Sequence, residues 1–372
     1  MLSSLPPELL HQIIESTVPH TFHIETYDDR QQTLCSLSLV SKQFCTLAQP
    51  LLYEMVWIKS RDSLERYKTT IGSFGESDGE AKKMWRPKAA VIESKVYSGP
   101  AKMTQEAMSK EVVQLFSSVK SLMWNLNSIR VENLPSLTGF SNLSTLHLSS
   151  FYRDFGIVPS LPQLQSLSMS MVGSSIMDSL LDPKVVPNLK HFSLVGTSAA
   201  CVRRLKRSLL EQLFARLLTL TFDIYLWLDE GPELGFLRSA ASRALVVSCF
   251  DHFDEAIPLE AQIVHLCILD LELYPEDKIS QTLDKLGSSL QSAHSLLLQS
   301  LYLHCSLQPS SSGSAEVSKS VRKLIDICEK RNIEVGFEMS PGNPRLDPWF
   351  SEEFIRRQRA RRNQEAEGKV EK

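Results

Sequence analysis

The apolar positions of this chain follow two rhythms, one helical and one strand-like. Near the N-terminus Leu5, Leu9, Leu10, Ile13 and Ile14 recur at the spacing of a helix with one apolar face. Pro6 and Pro7 suit its first turn, where a missing N–H leaves nothing unpaired, and the helix should stop before Pro19. Residues 20–32 are polar, contain His20, His23, Asp28 and Asp29, and read as a loop. Helical spacing resumes at Thr33, with Leu34, Leu37, Val40, Phe44 and Leu47 on one face. Further helices are expected over residues 61–71, 106–116, 278–290 and 316–331, and short strands near Val91–Ile92 and Val96–Tyr97.

From residue 119 a short strand-like pattern, L-x-x-L-x-L, takes over. It reads Val119-x-x-Leu122-x-Trp124, Leu143-x-x-Leu146-x-Leu148, Leu164-x-x-Leu167-x-Met169, Leu189-x-x-Phe192-x-Leu194 and Leu217-x-x-Leu220-x-Phe222. Ala244–Ser248 is the best candidate for the next copy, Ile263-x-x-Leu266-x-Ile268 and Leu298-x-x-Leu301-x-Leu303 are weaker ones, and Ile333–Phe337 is an end-piece. The first five are spaced 24, 21, 25 and 28 residues apart at their central positions. That resembles a degenerate leucine-rich repeat, whose period is roughly 20–29 residues. In each copy the last two apolar positions alternate along a short strand and point inward, and stacked neighbours share one core.

The resemblance implies an α/β fold, a solenoid over 119–340 with strands on a concave face. Its outward strand positions would carry the partner-binding residues: Ser144, Thr145, His147, Ser166, Ser168, Lys190, His191, Ser193, Thr219 and Thr221.

The N-terminal residues carry a second resemblance. Leu5-Pro6-Pro7-Glu8-Leu9-Leu10 opens a short aliphatic helix, Leu37-Ser38-Leu39-Val40-Ser41-Lys42-Gln43-Phe44 follows, and Leu47-Ala48-Gln49-Pro50-Leu51-Leu52-Tyr53 closes it. This is similar to an F-box, in the style of the expanded fungal families, the helical module that joins a Skp-type adaptor of a cullin–RING ubiquitin ligase. The resemblance implies that Leu5, Pro6, Leu9, Ile13, Leu39, Val40 and Phe44 face the adaptor or support the helices that do, with Ser41 and Lys42 at the rim. The link between the first two helices is longer than the compact one usual in that family. A module of roughly fifty residues is near the lower limit for independent folding, so its aliphatic surface calls for a partner on physical grounds too.

The organisation expected is therefore an F-box-like domain over 1–58, a transition region over 59–118, the solenoid over 119–340 and a charged tail over 341–372. The role implied is substrate receptor of an SCF-type ligase. The alternatives are a repeat scaffold that engages no ligase and a nucleic-acid-associated factor using the tail.

Composition changes this picture little. With 372 residues, 42% apolar, 22% charged and a net charge of -3, nothing global demands nucleic acid or an anionic membrane. No apolar run reaches the roughly 18 residues of a membrane-spanning helix, and Pro6, Pro7 and Glu8 stand where the apolar core of a secretion signal would lie. Seven cysteines are scattered singly without a C-x-x-C pair, which points to a reducing compartment, cytoplasm or nucleus. The loop residues His20, His23, Asp28 and Asp29 lack the fixed spacing of a metal site. Arg356–Arg362 is balanced by Glu352, Glu353, Glu365 and Glu367 and reads as a solvated mixed-charge segment. No nucleophile, phosphate-loop or zinc-protease motif is present, so neither an enzymatic activity nor a cofactor is expected.

Overall fold

A computed structural model describes residues 6–18, 27–73, 86–93, 96, 105–125, 137–149, 160–170, 177, 179–195, 216–222, 244–247, 263–266, 275–292, 298–309 and 315–338. They belong to two compact units, Met1–Leu164 and Gln165–Lys372. The arginine cluster of 356–362, Leu5, His20, His23 and Tyr97 lie outside the described residues, while Val96, expected in a strand, stands in a helical turn with its N–H on the Glu93 carbonyl at 3.1 Å.

The first unit begins with three helices, α1 (Pro7–Thr17), α2 (Tyr27–Val40) and α3 (Lys42–Glu54). Pro7 opens α1 at its first position, and Val18 turns extended, as a residue before proline must, while its N–H still reaches the Ile14 carbonyl at 2.9 Å. The helices enclose a small core of Leu10, Ile14, Val18, Leu34, Phe44 and Ala48, rimmed by Ile13, Leu37, Leu47, Leu51 and Leu52.

Two expectations change here. Residues 27–32, expected as loop, form the start of α2: Asp28 and Asp29 sit in its first turn, where the helix dipole favours negative charge, and its anchors are polar rather than apolar. The apolar stripe read from Thr33 to Leu47 is also two helices, not one. Ser41 breaks it in an extended conformation, and its hydroxyl caps α3 by accepting from the Phe44 N–H at 3.2 Å.

The chain passes from Glu54 straight into a strand that the apolar pattern did not suggest, β1 (Met55–Ile58), then α4 (Arg61–Ser73), β2 (Ala89–Ile92), α5 (Gln105–Phe116), β3 (Ser121–Asn125) and β4 (Thr145–Ser149). The four strands pair in parallel and in chain order. Val56, Ala90, Leu122 and Leu146 fall in one register row, and Ile58, Ile92, Trp124 and Leu148 in the next. All eight side chains are buried. Tyr67 of α4 stacks on Phe116 of α5 at 5.3 Å between ring centres, and Lys68 pairs with Glu111 beside them.

The apolar residues Val119, Leu143 and Leu164, each ahead of a strand, share one backbone setting. The N–H groups of Val119, Leu143 and Leu164 each donate to the carbonyl three residues earlier, in Phe116, Phe140 and Leu161. The Lys88 carbonyl accepts from both Lys120 and Ser121, and the Lys120 carbonyl from both Ser144 and Thr145. Each strand thus starts against the residue that precedes the strand before it.

Gly139, in a short 3-10 turn before β4, is a close-approach position. A Cβ there would overlap Val113 Cγ1 on α5, and a stiff β-branched side chain yields little. Gly139→Ala is expected to cost about 1–3 kcal/mol through overpacking. A thermal melt of the variant equal to wild type would remove that account.

The second unit holds β5 (Ser166–Ser170), β6 (His191–Val195), β7 (Thr219–Phe222), β8 (Ala244–Val247), β9 (Ile263–Leu266), β10 (Ser300–His304) and β11 (Glu334–Glu338). Each again pairs in parallel with the next. Leu167, Phe192, Leu220, Leu245, Val264, Leu301 and Val335 make one row. One register differs from the sequence expectation. Leu266 lies opposite Leu303, not Leu301, so Val264 and Leu266 take the register positions beside Leu301 and Leu303. A shift of two residues keeps the same face inward, which is why alternation alone does not detect it. The expected helices appear as α6 (Glu276–Ser292) and α7 (Ala315–Lys330), which lie in contact and bury Ile279, Leu283, Leu286 and Leu290 on the one and Val317, Val321, Leu324 and Cys328 on the other. The fold is therefore mixed α/β, with parallel strands and helices. Among the described residues no helix is long and apolar enough to cross a membrane.

Candidate functional site

The N-terminal helices leave three large aliphatic side chains in solvent: Leu9 at 45% exposure, Leu39 at 87% and Val40 at 53%. No other large apolar side chain among the described residues is so exposed. The cause is local. On α1 the buried stripe is Leu10 and Ile14, which turns Leu9 outward. On α2 only Arg30 and Leu34 are buried, so its last turn ends with Leu39 and Val40 unburied just before the Ser41 break.

The residues singled out for adaptor binding divide accordingly. Pro6, Leu9, Leu39 and Val40 are displayed, Ile13 is half-buried, and Phe44 is enclosed in the core, where it can only support the helices. Ser41 is half-buried and Lys42 exposed.

A set of polar contacts fixes the other end of α2, and sequence reasoning did not find it. The Tyr27 hydroxyl accepts the Trp57 backbone N–H of β1 at 3.4 Å, and the two rings meet edge to face at 5.5 Å. Lys59 reaches both Asp28 carboxylate oxygens at 3.0 Å and lies 4.1 Å over the Trp57 ring. Arg30, buried, pairs with Glu54 at 3.4 Å, and Glu54 also holds Lys88 at 2.7 Å. Gln31 donates to the Leu52 carbonyl at 3.1 Å. Burial raises the Tyr27 phenol, and burial also lowers the Arg30 guanidinium, with Glu54 acting against that. Farther along the strands, Glu93 accepts from Trp57 Nε1 at 3.3 Å and from Asn125 Nδ2 at 3.0 Å. Asp28 is thus a structural anchor, and Asp29 stands in the same helical turn, not in a loop.

The strand residues expected to line an open face stand differently. Thr145, His147, Ser166, Ser168 and Ser193 are buried, as are Ser121, opposite Thr145 in register, and Ser149 and Ser170 farther along the same strands. Strands about 4.8 Å apart let small side chains cover one another, and parallel strands are commonly buried on both faces. Ser144 is half-buried and donates to the Lys120 carbonyl at 3.0 Å, His191 is half-buried, and Lys190 is exposed. Thr219 and Thr221 take the register positions opposite His191 and Ser193. Burial pushes the His147 imidazole down to about 3, and its Nδ1 has no hydrogen-bond partner.

No group of three or more metal-ligating side chains occurs among the described residues. No family model matches the chain, and no curated protein or solved structure matches it.

Proposed function

We propose that this chain is the substrate receptor of an SCF-type cullin–RING ubiquitin ligase. In that reading α1–α3 form an F-box-like module that docks on a Skp-type adaptor. The strand-and-return units from β3 onward form a degenerate leucine-rich-repeat solenoid that holds a target protein. The observation that carries it is the exposure of Leu9, Leu39 and Val40 on a module whose core, among the described residues, is six buried apolar side chains. Aliphatic surface of this kind marks a protein contact, and each such side chain contributes about 1.5–3 kcal/mol when fully buried.

The chain itself performs no bond chemistry in this reading. It raises the effective concentration of a target lysine beside the ligase's charged E2, which is a proximity effect. With most of the small strand side chains buried, target recognition falls to lead-in positions such as Lys190 and His191. Cytoplasm or nucleus is the setting that goes with this role.

Co-purification with a Skp-type adaptor tests the proposal. Leu9→Asp and Val40→Asp each place a charge in the patch and are expected to weaken capture about 10–100-fold while leaving the melt unchanged. Capture that survives both substitutions would remove the patch from the docking surface. A wild-type chain that holds no adaptor at all would instead be a plain interaction scaffold.

A further inference from the structure

The helix α2 carries two unlike sites at its two ends. Leu39 and Val40 are exposed in its last turn, and the Tyr27, Asp28, Arg30 and Gln31 contacts bind its first turn to β1, Lys59, Glu54 and α3. About 20 Å of helix separates them. Between the ends Leu34 is buried in the helical core and Leu37 packs against its rim, so the apolar hold on α2 sits in its middle and not at its first turn. Its first turn is seated by polar and ring contacts outside that core, and a helix end held in that way opens at lower cost than one locked into the core.

β1 is held by the first turn of α2. It is the outermost strand of the four in this unit, paired on one side with β2. On its other side the Trp57 N–H, which would otherwise offer a template for a foreign strand, donates to Tyr27. α2 is thus the cover of the sheet edge as well as the carrier of the docking patch.

We propose that α2 acts as a lever. Docking on its C-terminal end and clamping of its N-terminal end on β1 are one coupled equilibrium between a seated and an open helix. The coupling is reciprocal: a partner on Leu39 and Val40 protects the β1 edge, and loss of the clamp weakens the partner. The partner half of this statement rests on the docking role proposed above for the patch.

Amide hydrogen exchange on the full-length chain tests it, with Lys59→Met and Tyr27→Phe as variants. Lys59 and Asp28 are substantially exposed, and neither substitution touches the small apolar core, so both variants keep the fold. In the partner-free protein both variants are expected to speed exchange about tenfold at residues 36–40, the far end of α2, and at 55–58, with 145–149 unchanged. With a Skp-type adaptor as the probe, wild type is expected to gain protection at 55–58. The variants are expected to bind it about fivefold more weakly. Unchanged exchange at 36–40 in the partner-free variants would overturn the lever. So would variants that bind the adaptor as wild type does. Failure of wild type to bind the adaptor sinks the ligase reading and the partner half of the lever with it, whereas the partner-free exchange decides the coupling between the two ends of α2 without it.

Discussion

Glu54→Ala is expected to destabilise the first unit by about 3–5 kcal/mol, far more than the loss of a surface ion pair. Glu54 ends α3 at the point where the chain becomes β1, and its carboxylate faces two cations. Lys88 is exposed and returns to solvent at little cost when its partner goes. Arg30 is buried and cannot. Its guanidinium would stay buried with the Glu54 counter-charge removed, and that imbalance supplies most of the loss. The double substitution Arg30→Met with Glu54→Leu should therefore recover most of the stability, since no buried charge remains. Urea unfolding of wild type, Arg30→Met, Glu54→Leu and the pair makes the cycle, and exchange at residues 27–58 locates the change. Two single effects that simply add in the double variant would mean that the two side chains do not act together.

What could be read from the sequence, and what could not, follows from the range of each interaction. The strands of Leu122 and Trp124, Leu146 and Leu148, and Leu167 and Met169 were legible because alternation over five residues is a local property. So were the helices around Leu283 and Leu286 and around Val321 and Leu324, where the apolar spacing matches one helical face. The start of α2 was not legible. Tyr27, Asp28 and Arg30 look like loop residues until their partners Trp57, Lys59 and Glu54 are in place, 24 to 31 residues on. Polar pairing at that distance leaves no periodic trace.

The patch lay between these cases. Leu9, Leu39 and Val40 could be named from the motif, but nothing in the spacing separated them from Phe44, which the fold encloses. The strand face was misjudged for a related reason. Alternation says that Thr145 and His147 point away from Leu146, and it does not say whether anything covers them.

That covered face leads to the second large effect, a loss of stability in mild acid that is traceable to His147. The imidazole is 2% exposed, Met123 lies beside it in register, and its Nδ1 has no partner that could accept or share a proton. Burial lowers its titration from 6.5 to about 3, so the native state holds it neutral. The sign follows from linkage. Above pH 6.5 the side chain is neutral in both states and contributes no pH dependence. Below it the unfolded chain takes up a proton that the folded chain refuses, and stability falls by about 1.4 kcal/mol per pH unit until the native group also titrates near 3. At pH 4.5 the His147 share of the loss is about 2–3 kcal/mol. His147→Leu removes the group, keeps an apolar side chain of similar size and also removes a buried nitrogen without a partner. Its unfolding free energy is expected to match or exceed that of wild type at pH 7.5, and the gap between the two should widen steadily as the pH falls from 6.5. Carboxylate titrations common to both proteins cancel in that difference. Urea midpoints for the pair at half-unit intervals from pH 7.5 to 4.5 give the measurement, and two curves that stay parallel over that range would show that His147 is protonated in place at no cost.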